Sequence, residues 1–271
     1  MMIIKFFYKI FFIYIISNCV FASNFITIQS STSLADSGFY DFILPIYENK
    51  KKINIKIVAV GTGQAIKNAK NGDADILITH YLEAEKKFIK EGYGISRIPF
   101  MYNDYILVGP KNDPEKLKNK INIKEVFTTI KEKKLPYLTR NDNSGTYKKE
   151  LEIWKIAGID PKKLDHKHYI DIGKGMGDAL NMASNLNAYT LCDRSTWESF
   201  VNKKDLSIAF ENNPPIYNIY SLIVVNPKKF PHVKYKLAND FSNWLISREG
   251  KSAISKFKIN GNQAFFTDII K

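Results

Sequence analysis

The stretch INIKIVAVGTGQAIKNAKNGDADILIT, residues 53–79, reads as strand, turn, helix, turn and strand in unbroken succession. Ile53, Ile55 and Ile57 alternate with polar residues before Val58-Ala59-Val60, the period of two that belongs to a strand. Gly61-Thr62-Gly63 interrupts that run, Gln64 to Asn71 forms a short helix, and Gly72 closes it. Asp75-Ile76-Leu77-Ile78-Thr79 is then apolar without alternation, as a strand covered on both faces is. Strands joined by one crossover helix run parallel, so this unit predicts an α/β protein.

The same grammar repeats on either side of this unit. Phe25 to Gln29 reads as an earlier strand, and Leu34 to Tyr47 as a helix with Phe39, Phe42, Ile43 and Ile46 at helical spacing. Tyr105 to Val108 is a strand ending at Gly109-Pro110, where the pattern restarts. Helices are expected over Ile123–Glu132, Ser144–Ala157 and Met176–Ser184, with strands at Tyr137–Arg140 and Tyr189–Cys192. Asn213-Pro214-Pro215 marks a second break, followed by a strand at Ile219–Val225 and a helix at Tyr235–Ile246. Breaks near 110 and 215 imply two lobes, one from residues 23–109 plus 216–271 and one from 110–215. Each lobe would hold a mainly parallel sheet flanked by helices. The cleft between such lobes is a natural ligand site.

Residues 1–22 have the features of an export signal. Lys5 and Lys9 precede an apolar run from Phe11 to Val20, and Val20-Phe21-Ala22 suits a peptidase cutting after Ala22. The run is short of the roughly 20 residues a membrane span requires. Cys19 follows Asn18, a poor match to a lipoprotein signal. The mature chain is therefore expected in the periplasm, and Cys192 is left without an internal disulfide partner. His80, His166, His168 and His232 are scattered, with no metal-ligand spacing. A net charge of +13, or +11 once Lys5 and Lys9 leave, suits an anionic ligand or surface. Its lysine runs lack the interleaved aromatics of a nucleic-acid platform, so no nucleic acid is expected.

Four strand-to-helix junctions carry small, hydroxyl or glycine residues: Ser30-Ser31-Thr32-Ser33, Gly61-Thr62-Gly63-Gln64, Asn143-Ser144-Gly145-Thr146 and Gly173-Lys174-Gly175-Met176-Gly177. A helix start leaves N–H groups unpaired and carries partial positive charge. Glycine admits an anion to the backbone, and hydroxyls add donors. Any one junction is also an ordinary cap or turn. In open α/β sheets, however, ligands bind beyond the carboxyl ends of strands, where several such junctions would converge. Arg140 ends a strand just before one of them, and its fork of donors suits an oxyanion. Pairing with nearby Asp142 is the plainer alternative for Arg140. Arg194, after Asp193, fits a structural ion pair better, and Tyr102-Asn103-Asp104-Tyr105 reads as a polar turn or a hinge.

With those motifs set out, the chain resembles the tungstate-binding periplasmic proteins of ABC transporters, within the type II solute-binding fold that molybdate and sulfate binders share. The resemblance runs from about Phe25 to Phe266. It rests on Ser30-Ser31-Thr32-Ser33, Val58 to Ala65, Gly72 to Leu77, Met101-Tyr102-Asn103-Asp104, Ser144-Gly145-Thr146, Gly175-Met176-Gly177, Tyr189-Thr190-Leu191, Asp193-Arg194 and Val225-Asn226-Pro227. It implies a monomeric two-lobed binder, not an enzyme and without a cofactor, that delivers tungstate or molybdate to a membrane permease. Matching the family pattern residue by residue assigns ligand contacts to Thr32, Ser33, Thr62, Gly63, Arg140, Ser144, Gly145 and Thr146. The first two family threonines are serine here, and a further one is Cys192. Vanadate, sulfate or phosphate would fit a similar site. A hydrolase using Ser33 or Ser144 would need a general base, for which His80 is the only ordered candidate, and no nucleophile elbow is present.

Overall fold

The computed structural model of the chain describes residues 24–142 and 144–268, without the side chains of residues 212–215. The export segment 1–22, with Cys19 and Ala22, and Asn143 of the third junction lie outside the described residues. Among the described residues no helix is long and apolar enough to cross a membrane.

In chain order the first half comprises β1 (Phe25–Ser31), α1 (Thr32–Asp36), α2 (Phe39–Lys51), β2 (Asn54–Val60), α3 (Thr62–Lys70), β3 (Ile76–Thr79), α4 (Leu82–Lys90) and the long β4 (Gly94–Pro110). There follow α5 (Ile123–Glu132), β5 (Tyr137–Thr139), α6 (Gly145–Ile156), β6 (Tyr169–Asp171), α7 (Met176–Leu186), β7 (Thr190–Asp193) and α8 (Arg194–Ser199). The chain returns along β8 (Leu206–Val225) and ends in α9 (Tyr235–Ile246) and α10 (Arg248–Lys256), before two short strands.

Two sheets share β4 and β8. In the first lobe the order is β2-β1-β3-β8-β4, with β1, β2 and β3 mutually parallel and β8 antiparallel to both its neighbours. The second lobe repeats the scheme as β6-β5-β7-β4-β8, with β4 the reversed strand. Each sheet is thus mainly parallel with a single reversed member. Alternating side chains fill opposite faces. On β8, Leu222 and Val224 enter one core and Ile223 and Val225 another. On β4, Tyr105 and Leu107 enter a third core and Ile106 and Val108 a fourth. Helices cover both faces, which satisfies strands that are apolar on each side. The cores divide between Met101 and Tyr105 on β4, and between Ile216 and Tyr220 on β8.

Two local readings of the sequence are corrected. The helix expected over Leu34–Tyr47 is broken at Gly38, whose φ of +79° suits glycine. Its buried face is Phe39, Tyr40, Ile43, Leu44 and Tyr47, while Phe42 and Ile46 face outward. Residues 102–105, read as a polar turn or a hinge, and 213–215, read as a break between lobes, are continuous strand within β4 and β8. The buried polar side chains of Asn103 and Asp104 are tolerated because they are paired. Asn218 Nδ2 donates to Asn103 Oδ1 at 2.8 Å, and Arg194 grips Asp104 through Nε at 2.6 Å and Nη2 at 2.7 Å.

Candidate functional site

At the carboxyl ends of β1, β2, β3 and β5 the two lobes face each other across a cavity of about 490 Å³. Thr32, Ser33, Thr62, Gly63, Arg140, Ser144, Gly145 and Thr146, the residues singled out from sequence, all line it. The structure therefore brings together side chains separated by more than 100 positions. Ser31, Gly61, Gln64, Lys67, His80 and Asp142 complete the wall.

Each element supplies donors in its own way. α3 begins at Thr62 with no side-chain cap, so the N–H groups of its first turn face the cavity without intrahelical partners. Gly61 leaves open space beside them. α1 is only five residues long, so its dipole is small and its contribution is the Thr32 and Ser33 hydroxyls. α6 begins at Gly145 from the opposite lobe, capped by Ser144 Oγ, which accepts from Tyr147 N at 3.2 Å. Gly145 is required sterically: a Cβ there would lie 2.7 Å from the His80 ring, so only glycine lets α6 approach β3 this closely. The fourth junction does not line the cavity. Instead the Lys174 carbonyl accepts from Arg140 Nε at 3.3 Å and helps aim the guanidinium.

Arg140 is both a cavity residue and an ion-pair partner. Its Nη2 donates to Asp142 Oδ2 at 2.5 Å, while Nη1 has no partner among the described residues. Asp142 also accepts from the Ser144 N–H at 3.1 Å and from the Ser144 hydroxyl. Both donors of Ser144 are thereby engaged, which sets it apart from the other seven expected contacts. Lys67 adds a second cation, on the α3 face that carries Gly63 one turn earlier.

His80, just past the end of β3, is partly buried between the lobes. Its Nδ1 lies 2.8 Å from Asn218 Oδ1 and 3.2 Å from the Tyr105 hydroxyl, and its Nε2 lies 3.5 Å from Ser33 Oγ. The ring stacks on Tyr220 at 4.9 Å between centroids. Burial is the largest influence and pushes its pKa below the usual 6.5. Asp193 and the Asn218 bond oppose that shift, and Arg140 adds to it. Sequence reasoning considered His80 only as a possible general base. Its signal as a site residue was its position at the carboxyl end of a fully buried strand.

Other candidates fall elsewhere. Arg194 binds Asp104 and Glu211 and is absent from the cavity wall, while the Asp193 carboxylate caps α8. Cys192 is buried in the core with its Sγ against the Asp193 carbonyl, so the change from threonine does not touch the cavity directly. A larger cavity, of about 670 Å³, lies beside α6 and β6. Tyr147, Leu151, Ile159 and Tyr169 give it largely apolar walls, and Asp160 and Asp171 stand beside its cations Lys155 and Lys162, which does not suit a small anion.

The model of the PBP superfamily domain matches residues 23–249. The tungstate-binding protein TupA of Peptoclostridium acidaminophilum is 40% identical over 238 residues, covering 87% of this chain and 82% of that protein. The crystal structure of the tungstate ABC transporter from Geobacter sulfurreducens superposes with a TM-score of 0.79 at 40% identity, covering 86% of this chain and 98% of that one. The tungstate-binding protein TupA from Desulfovibrio alaskensis G20 superposes with a TM-score of 0.80 at 34% identity, covering 90% and 98%.

Proposed function

This chain belongs to the PBP superfamily and, within it, to the tungstate-binding proteins of ABC transporters, and from that premise we propose that it captures tungstate outside the cytoplasm and hands it to a membrane permease. The observation that carries the reading is the convergence of three donor-rich turns, from both lobes, on one cavity that also holds Arg140 and Lys67. A tetrahedral dianion entering there exchanges water for N–H and O–H donors, and the guanidinium offsets its charge. Thr32, Ser33, Thr62, Gly63, Arg140, Gly145 and Thr146 are the proposed direct contacts. Ser144 joins them on release from Asp142.

The cavity is far larger than one tetrahedral oxyanion, so capture requires the lobes to close around it. We place the two crossings at residues 102–104 and 217–219, where the cores divide, rather than at 110 and 215. The mature protein is proposed to begin after Ala22 and to act as a monomer. No covalent step is assigned. Ser33 and His80 stand 3.5 Å apart, but the imidazole is backed by the neutral Asn218, so Ser33 lacks a carboxylate-supported base.

Isothermal titration with tungstate, molybdate, vanadate, sulfate and phosphate tests the assignment. Tungstate is expected to bind most tightly, in the micromolar range or better, about −8 kcal/mol. Failure of every oxyanion to bind below about 100 μM would overturn it.

A further inference from the structure

We propose that His80 sets the protonation state of the oxyanion site: one proton is taken up at its Nε2 when a fully ionised oxyanion enters, converting the acceptor that His80 presents to the cavity into a donor. The inference rests on the oxyanion reading above and concerns a residue to which that reading gives no role.

The tautomer of the neutral ring follows from a chain of bonds that ends on a carboxylate. Asp193 can only accept. It takes the Thr196 N–H at 3.0 Å, the Ser195 and Thr196 hydroxyls, and Asn103 Nδ2 at 3.4 Å. Asn103 therefore turns its Oδ1 toward Asn218, whose Nδ2 donates at 2.8 Å. Asn218 in turn presents Oδ1 to His80 at 2.8 Å, so the ring hydrogen must sit on Nδ1. The lone pair is then on Nε2, facing Ser33 and the cavity.

An acceptor in that position conflicts with the rest of the wall. A dianion offers only acceptors, so a lone pair directed at it is repulsive, and the ring competes for the Ser33 hydrogen, which also reaches Ser31 Oγ at 3.3 Å. A proton from solvent on Nε2 removes both problems. The new N–H donates to an oxyanion oxygen or to Ser33 Oγ, and in the second case frees the Ser33 hydrogen for the ligand. No bond other than this N–H forms, and the added charge is balanced by the dianion.

Groups on every side of the ring bear on this proton. Arg140 and Lys67 oppose it from the cavity, and Asp142 favours it there. Asp193 favours it from behind the hinge asparagines. A smaller cavity shares His80; on its wall Arg97 is paired with the buried Glu85 and Lys149 with Glu152, while Lys148 and Glu83 also face it. The Tyr105 and Tyr220 hydroxyls stay neutral, because burial raises both well above their ordinary range. In the empty site burial keeps His80 unprotonated. Entry of two negative charges is the one large change in this balance.

The bound state therefore holds the proton more firmly than the free state. Affinity is complete below the free-state titration of His80 and is lost as pH rises through its bound-state titration. The test is calorimetry of the mature protein with sodium tungstate between about pH 7 and about pH 9, in paired buffers of low and high ionisation enthalpy. The wild type is expected to take up as much as one proton per tungstate between the free-state and bound-state titrations of His80, where Kd weakens by about tenfold per pH unit, and to level off above them. His80→Gln, checked for a native melting transition, is expected to bind more weakly near neutrality with a flat pH profile. On the wild type alone, the His80 Cε1–H resonance should move to its imidazolium position on saturation, while His166, His168 and His232 stay put. Buffer-independent heats, a flat wild-type profile and an unmoved His80 resonance would overturn this inference and leave the oxyanion reading intact. A pH slope retained in His80→Gln would place the proton elsewhere and overturn it as well. Absence of tungstate binding at every pH would defeat both.

Discussion

Arg140 uses its planar fork in two directions at once, holding the Lys174 carbonyl through Nε and Asp142 through Nη2. A lysine ammonium at the same position could reach one of these partners but not brace itself between them. Arg140→Lys is therefore expected to weaken tungstate binding by about 1 to 3 kcal/mol while the fold persists. Titration of the folded variant measures this, and unchanged affinity would remove Arg140 from the site. Arg140 also shows how two readings of one residue can both hold: pairing with Asp142 keeps the guanidinium in the cavity wall rather than drawing it out to solvent. His80 and Lys67 were harder to see in the sequence. Hydroxyls and glycines at a strand-to-helix junction announce themselves as a pattern, whereas a lone histidine after a strand or a lone lysine within a helix carries no motif. Their roles depend on which elements the fold sets opposite them.

At the scale of elements, α6 delivers Gly145 and Thr146 to the cavity and is held at its other end by buried aromatics. Trp154 lies against Phe127, Tyr137 and Tyr169, with its Nε1–H donated to Glu150 at 3.2 Å. Glu150 is buried and also accepts from the Tyr169 hydroxyl at 2.7 Å and Thr139 Oγ1 at 3.1 Å. Burial outweighs these bonds and pushes its carboxyl up to about 7, from an ordinary value of 4.5. The folded chain thus keeps a proton that the unfolded chain has already lost. The associated stability is complete below the unfolded value and disappears as pH rises through about 7. Urea unfolding of the wild type from about pH 5 to about pH 8 should show a decline on the order of 3 kcal/mol that Glu150→Gln lacks. Equal pH dependence in both proteins would show that Glu150 is ionised in the fold. Helices such as α6 and α9 were legible from their apolar spacing and caps. The lengths of β4 and β8 were not, because Asn103, Asp104 and Asn218 break the apolar pattern. Only their partners, far away in sequence, reconcile them with a buried strand.

For the whole molecule, β4 and β8 are the structural link that turns two sheets into a closing device. Each strand serves both lobes, and at the crossing it carries buried polar pairs in place of close-packed apolar side chains. A paired crossing of this kind can bend while each lobe keeps its own core intact. The net charge of +13 draws anions toward the molecule, but position rather than total charge selects one of them. The central claim is that stretches of chain near residues 32, 62 and 146, together with Arg140, act on a single anion. Anomalous diffraction at a tungsten absorption edge, from crystals of the mature protein grown with tungstate, addresses it most directly. One dominant peak is expected in the cavity, with its oxygens reaching Thr32, Thr62, Thr146 and Arg140 from both lobes. A peak bound by one lobe alone or lying outside the cleft, or no peak at saturating tungstate, would contradict it.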